Sequence, residues 1–246
     1  TGGRKITGWK EGADGLWSAH LPEVASGKWY FEQLFVNGVR AVRARTPNAF
    51  YFYMQHKVEE GIDPLTGQKA NLASRAFRGR PEDIQPLSTI PNNQLPDATM
   101  VVYHAWEISR HRLAAVDPTT ATIITTGGAP WAFMQWAPTQ RYHLENFKAA
   151  LDAPGEWFLD RDGTLYYKPL PGENLSKAEV IAPFTEQFVR FEGEPEKGRF
   201  VENITFKGLA FRHGQYVLPP QGHSDSQAAA SIPAVIMADG AKHISI

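Results

Sequence analysis

Trp29-Tyr30-Phe31-Glu32-Gln33-Leu34-Phe35-Val36-Asn37-Gly38-Val39-Arg40-Ala41-Val42-Arg43-Ala44-Arg45 is the stretch that decides the class of fold. Apolar residues alternate through Tyr30, Leu34 and Val36, then through Val39, Ala41 and Val42. Between the two runs sits Asn37-Gly38, the pair favoured in a two-residue type I′ turn because both central residues need φ > 0. The stretch predicts a β-hairpin.

The same reading extends outward. Glu156 to Pro169 (EWFLDRDGTLYYKP) predicts a second hairpin with its turn at Asp162-Gly163. Met100 to Trp106 (MVVYHAW), Ala121 to Thr126 (ATIITT) and Glu179 to Phe191 (EVIAPFTEQFVRF) read as strands from their β-branched and aromatic content. Residues 46–97 are rich in Pro and Gly and read as loops with short strands. One helix is expected over 144–152, where Leu144, Phe147, Ala150 and Leu151 share a face and Pro154-Gly155 follows.

Composition agrees with an all-β chain. The 246 residues hold 21 Gly, 18 Pro and 12% aromatics, a pattern of many turns with aromatic strands between them. The 42% hydrophobic content supports a packed core and excludes a disordered chain. A formal net charge of -1 gives no electrostatic case for nucleic acid or an anionic membrane as the main partner. No apolar run approaches the ~20 residues needed to span a bilayer. The absence of Cys excludes disulfides, thiolate catalysis, Zn–Cys sites and iron–sulfur clusters.

Three five-residue stretches resemble one another: Arg4–Gly8 (RKITG), Glu202–Phe206 (ENITF) and Lys242–Ile246 (KHISI). Each has two polar residues, then Ile, then Thr or Ser. Such a repeat suits rungs of a right-handed parallel β-helix, with a separate domain inserted after the opening rung. The chain begins at Thr1 with no leader pattern, and its last residues read as the start of a strand. Both features lead us to expect a larger parent protein.

Most chemical motifs are missing. Asp160-Arg161-Asp162-Gly163 lacks the EF-hand spacing and reads as a plain turn. Gly2-Gly3 and Gly127-Gly128 have no nucleotide-loop context. The eight His residues show no tight metal-ligand spacing, and no G-x-S-x-G elbow is present. No cofactor and no metal are expected.

Two polar clusters stand out. Trp106-Glu107-Ile108-Ser109-Arg110-His111 crowds an aromatic ring, a carboxylate, a hydroxyl, a guanidinium and an imidazole together, a set that could hold a sugar by stacking and bidentate hydrogen bonds, the alternative being a strand end with a core Trp and solvated charges. His213-Gly214-Gln215-Tyr216 and Gly222-His223-Ser224-Asp225-Ser226-Gln227 form Gly-punctuated polar loops after an expected rung. Trp106, Arg110, His223 and Gln227 are the expected sugar contacts. Glycoside hydrolysis usually needs two carboxylates at a defined separation. Glu107, Asp225 and Asp239 are the acids nearest the clusters, and none can be assigned a catalytic role.

Longer stretches carry a family resemblance. Leu34–Asn48 (LFVNGVRAVRARTPN), Glu145–Asp160 (ENFKAALDAPGEWFLD) with Gly163–Tyr167, and Ile204–His213 (ITFKGLAFRH) resemble bacterial right-handed parallel β-helix proteins. The chain is similar to glycoside hydrolase family 141, whose members include α-L-fucosidase and xylanase activities. The resemblance implies an all-β fold in which residues 1–20 open a β-helix and residues 196–246 resume it. A β-sandwich-like domain over 21–195 would stand between them, with one short helix near 144–152. It implies a periplasmic or extracellular bacterial enzyme acting on plant or microbial polysaccharide, with no nucleic-acid or membrane partner. The catalytic carboxylates are expected on later coils, so no family catalytic residue can be carried onto a position here. A non-catalytic carbohydrate-binding or structural β-helix protein is the alternative. A polysaccharide lyase is the third reading, although the sequence shows neither a calcium motif nor a basic cluster.

Overall fold

A computed structural model describes residues 1–246. The chain is mostly β, and its α-helix is limited to two single turns, Pro22–Ala25 and Pro81–Ile84. Each begins at a proline, whose missing N–H has no partner to lose at a helix start.

The first hairpin forms as its turn dictates. Asn37 and Gly38 take φ of 51° and 78°, and Phe35–Val36 pairs antiparallel with Val39–Arg40. The strands are only two residues long, because the chain then leaves for other partners. Val42–Arg43 runs parallel to Glu156–Trp157, and Arg45–Thr46 pairs antiparallel with Leu144–Glu145. One short run thus enters three sheets. Val39 and Val42, expected on an apolar face, are instead exposed.

The largest sheet has eight strands and is antiparallel throughout. Its main path runs Arg45–Thr46, Arg141–Glu145, Thr99–Tyr103, Ile108–Asp117, Thr122–Thr125, Ala76–Arg78 and His56–Lys57. It carries a core of 20 buried residues, among them Phe77, Met100, Leu113, Ile123, Tyr142 and Leu144. A second core of 14 residues is shared by a five-stranded and a four-stranded sheet. Leu165 and Tyr167 enter it from the first of these, Val36, Val180 and Ala182 from the second.

The Glu156–Leu159 strand separates the two cores. All four residues are buried. Successive side chains point to opposite faces, so Trp157 and Leu159 enter the second core and Phe158 the first. The second hairpin closes this strand onto Thr164–Tyr167. Gly163 has φ of 89°, and a Cβ there would lie 2.6 Å from the Leu21 carbonyl oxygen, so the turn needs glycine. Glu156 is buried with its carboxylate used fully. Oε1 accepts the Arg45 N–H at 3.2 Å, and Oε2 accepts those of Asp152 and Ala153 at 3.1 and 3.0 Å.

The helix expected over 144–152 is not there. Leu144 belongs to the Arg141–Glu145 strand, and only a 3-10 turn at Lys148–Ala150 remains. Asn146 takes φ of 63°, which breaks a right-handed helix, and its amide donates to the Asp97 carbonyl at 2.9 Å. The apolar spacing is still used, since Leu144, Phe147 and Ala150 all enter the first core.

The last part of the chain pairs in parallel. Val189–Glu192 runs beside Ile236–Asp239, Val201–Glu202 beside Ala241–Lys242, and Thr205 bridges Ser245. Two of the three similar stretches therefore stack in register. The third does not join them, because Gly3–Lys5 pairs antiparallel with Pro183–Ile181.

Replacing Phe158 by Ala is expected to cost about 3–5 kcal/mol of stability, the range for a large aromatic removed from a core. Urea unfolding of the variant beside the parent chain measures it.

Candidate functional site

The Ile108–Asp117 strand carries Arg110 to the edge of a polar groove. There its backbone exchanges two 2.8 Å hydrogen bonds with His223, which clips the 215–233 segment onto the sheet. Arg112 holds the same segment from below. Its guanidinium donates to the Leu218 and Pro219 carbonyls and, at 2.8 Å, to Glu32. Two cavities, of about 580 and 650 Å³, meet at Tyr216 and His223. The hydroxyl of Tyr216 is buried there without a hydrogen-bond partner.

The smaller cavity is strongly charged. Arg40, Arg43, Arg45 and Arg110 surround it, with Glu32 and Glu145. Arg110 pairs with Glu145 at 3.0 Å, and His143 Nε2 lies 2.7 Å from the same carboxylate. Burial alone would raise the Glu145 pKa. The His143 hydrogen bond and the Arg110, His143 and Arg43 charges outweigh it and hold the group at about 2. Glu32 accepts from Arg112 and from the Leu218 N–H at 3.0 Å, while Arg43 stands 3.6 Å away. Desolvation, with Arg110 and Arg43 nearby, holds Arg40 below its ordinary pKa against the pull of Glu145.

An aromatic surface adjoins this groove. Trp106, Trp131 and Trp136 cluster with ring centroids 5.1 to 6.2 Å apart. Trp106 is 55% exposed and its Nε1 donates to the Ser226 carbonyl at 3.0 Å. A shallower cavity beside Trp106 shares Ile108 and Ala229 with the arginine-lined one.

The structure therefore brings Arg110 and His223 together at the groove and sets Trp106 beside it. Gln227 lies on the exposed 226–230 turn and lines none of these cavities. The sequence reading found no basic cluster, and the fold corrects this. Arg40, Arg43 and Arg45 stand close together in the opening hairpin stretch, and Arg110 joins them only through the sheet. Their recurrence in that stretch was the available signal.

The remaining acids divide by environment. Burial raises the pKa of Glu107, with Asp225 adding to it and Ser224 opposing. The Glu107 side chain has no exposure, so it cannot reach a glycosidic oxygen in this arrangement. Asp225 is held low, chiefly by hydrogen bonds from the Ser231 N–H and hydroxyl at 2.9 and 2.7 Å. Asp239 lies on the exposed end of the Ile236–Asp239 strand. His104 and His111 share Ser109 Oγ at 2.7 and 2.8 Å, and burial lowers both to about 4, so both are neutral at pH 7. No group of three or more His, Asp or Glu side chains is arranged to hold a metal.

Residues 14–170 match the family described as GH141 insertion domain. A solved structure named "Glycoside hydrolase" superposes with a TM-score of 0.71 at 25% identity. The match covers 93% of this chain and 39% of that one, so this chain spans well under half of its length. No curated protein matches.

The depressed Glu145 pKa makes a pH prediction. Its stabilising effect is complete above the ordinary carboxylate pKa of 4.5 and is lost as pH falls toward about 2. Glu145→Gln should remove roughly 2–3 kcal/mol of that acid-dependent stability. Urea midpoints between pH 6 and 3 should fall less steeply in the variant than in the parent chain.

Proposed function

The chain belongs to the GH141 insertion-domain family, and we propose that it serves as part of a carbohydrate-active glycoside hydrolase, walling one side of a polysaccharide groove. The observation that carries this is the polar groove joined at Tyr216 and His223 with exposed tryptophans beside it. Sugar rings present apolar C–H faces for stacking and hydroxyls for planar hydrogen-bonding groups. Trp106 supplies the first; Arg110 and His223 supply the second. Gln227 would join from its exposed turn if that turn folds over a bound glycan.

The proposed architecture is an inserted β-sandwich-like domain over 21–195, between an opening coil in 1–20 and β-helix coils resuming at 196. Support comes from the parallel pairs near the end of the chain and from the core shared between two sheets. Catalytic carboxylates would come from coils beyond those present here, because Glu107 is enclosed and Glu145 and Glu32 are engaged by arginine. The substrate proposed is plant or microbial polysaccharide of fucosidase or xylanase type. The place of action proposed is the periplasm or the cell exterior, and no helix is long and apolar enough to cross a membrane.

The arginine-lined cavity favours a second reading, a polysaccharide lyase, since β-elimination from a uronate calls for cations at its carboxylate. Product analysis separates the two: hydrolysis yields saturated reducing sugars and elimination yields unsaturated ends.

In the full-length protein, Trp106→Ala should raise KM or lower kcat/KM about five- to tenfold, the scale of one lost contact. Its thermal midpoint should stay within a degree or two, because the ring is largely outside the core. Arg110→Ala should act in the same direction. Unchanged kinetics in both variants would remove these residues from the substrate path. Glycan binding without any turnover would assign the whole protein to carbohydrate binding.

A further inference from the structure

We propose that the arginine-lined cavity receives the acid group of an acidic sugar residue, a carboxylate or a sulfate ester, within the glycan that lies along the groove. The inference rests on the carbohydrate reading above and names its substrate class.

Arg43 carries the argument. Its side chain is only 9% exposed, yet its nearest carboxylate is Glu32 at 3.6 Å, beyond hydrogen-bond distance. Its Nε and Nη2 have no hydrogen-bond partner in the protein. A buried cation left so under-paired is strongly unfavourable, and proteins ordinarily pair or replace it. The local anions are already committed. Glu32 is bound by Arg112 and the Leu218 N–H, and Glu145 by Arg110 and His143. The Arg45 guanidinium donates only to the carbonyls of Pro47 and Phe50, and Arg40 has no carboxylate within 4.0 Å.

Four guanidiniums thus face one cavity with two carboxylates, of which Glu145 is taken by Arg110 and Glu32 chiefly by Arg112. The planar guanidinium fork matches carboxylate and sulfate oxygens in pairs. The cavity, about 580 Å³, is of the size that holds a small ligand group. The acid group would meet Arg40 at the rim and stand over Arg43 on the floor, supplying the countercharge that Arg43 lacks.

The test uses the full-length protein on an array of matched pairs. Uronate-bearing oligosaccharides stand beside their carboxyl-reduced forms, and sulfated oligosaccharides beside their desulfated forms. The expected result is that the acidic member of at least one pair binds about tenfold or more tightly, the scale of one charged hydrogen-bonding contact. That preference should shrink as salt is raised. The pair that responds identifies carboxylate or sulfate as the source. Arg40→Ala, at an exposed position, should bring the two affinities of that pair toward equality. Arg43→Met should abolish the preference while leaving the thermal midpoint unchanged or higher, since it removes an under-paired buried cation.

Equal binding of both members in every pair overturns the inference and leaves the carbohydrate reading standing. Binding of no glycan on the array overturns the carbohydrate reading and the inference with it. A lowered midpoint in Arg43→Met with the preference intact makes Arg43 a structural residue and also overturns the inference.

Discussion

The pairing of Val42–Arg43 with Glu156–Trp157 is the constraint on which the rest of the structure depends. It joins segments more than a hundred residues apart, and a parallel pair cannot be closed by a tight turn. The Glu156–Leu159 strand that receives it stands between two cores, with Phe158 facing one and Trp157 and Leu159 the other. The Glu156 carboxylate then ties the Arg45 N–H to those of Asp152 and Ala153. That anchors the chain on both sides of Arg43. The arginine cleft is therefore placed by how two hydrophobic layers are held together.

Charge in the cleft is balanced unevenly. Glu145 is stabilised as an anion by Arg110 and His143, and Glu32 by Arg112 and the Leu218 N–H. Arg43, on the same floor, is nearly buried and under-paired. Burial of the surrounding apolar residues offsets the cost of that under-paired charge. Trp157, fully buried beneath Arg43 with the guanidinium 5.8 Å from its ring, is part of that surrounding structure.

The 215–233 segment has almost no regular structure, yet it forms one wall of the groove. Buried backbone groups must find partners somewhere. Here Arg112 and Glu32 satisfy the Leu218 region, and Arg110 pairs with His223 through the backbone. The wall is held by side chains and one bridge in place of a ladder, and Trp106 ties its tip through the Ser226 carbonyl.

Local chemistry was legible in the sequence. Asn37-Gly38 and Gly163 set their turns because Asn and Gly adopt positive φ at the least steric cost, and β-branched runs became strands. The helix over 144–152 failed for the opposite reason. Its apolar spacing was real, but Leu144 found cross-strand partners in Met100 and Thr46, and tertiary pairing outweighed a weak local preference. Trp106, Arg110 and His223 were visible as polar and aromatic clusters within short stretches. The cleft was not, because Arg43 and Arg45 meet Arg110 and Glu145 only after strands distant in the chain pair. The sequence by itself determined turns, strand content and the family likeness, all of which depend on neighbouring residues. Only the tertiary structure decided which charges share a cavity, because that depends on sheet register between segments that no local rule connects.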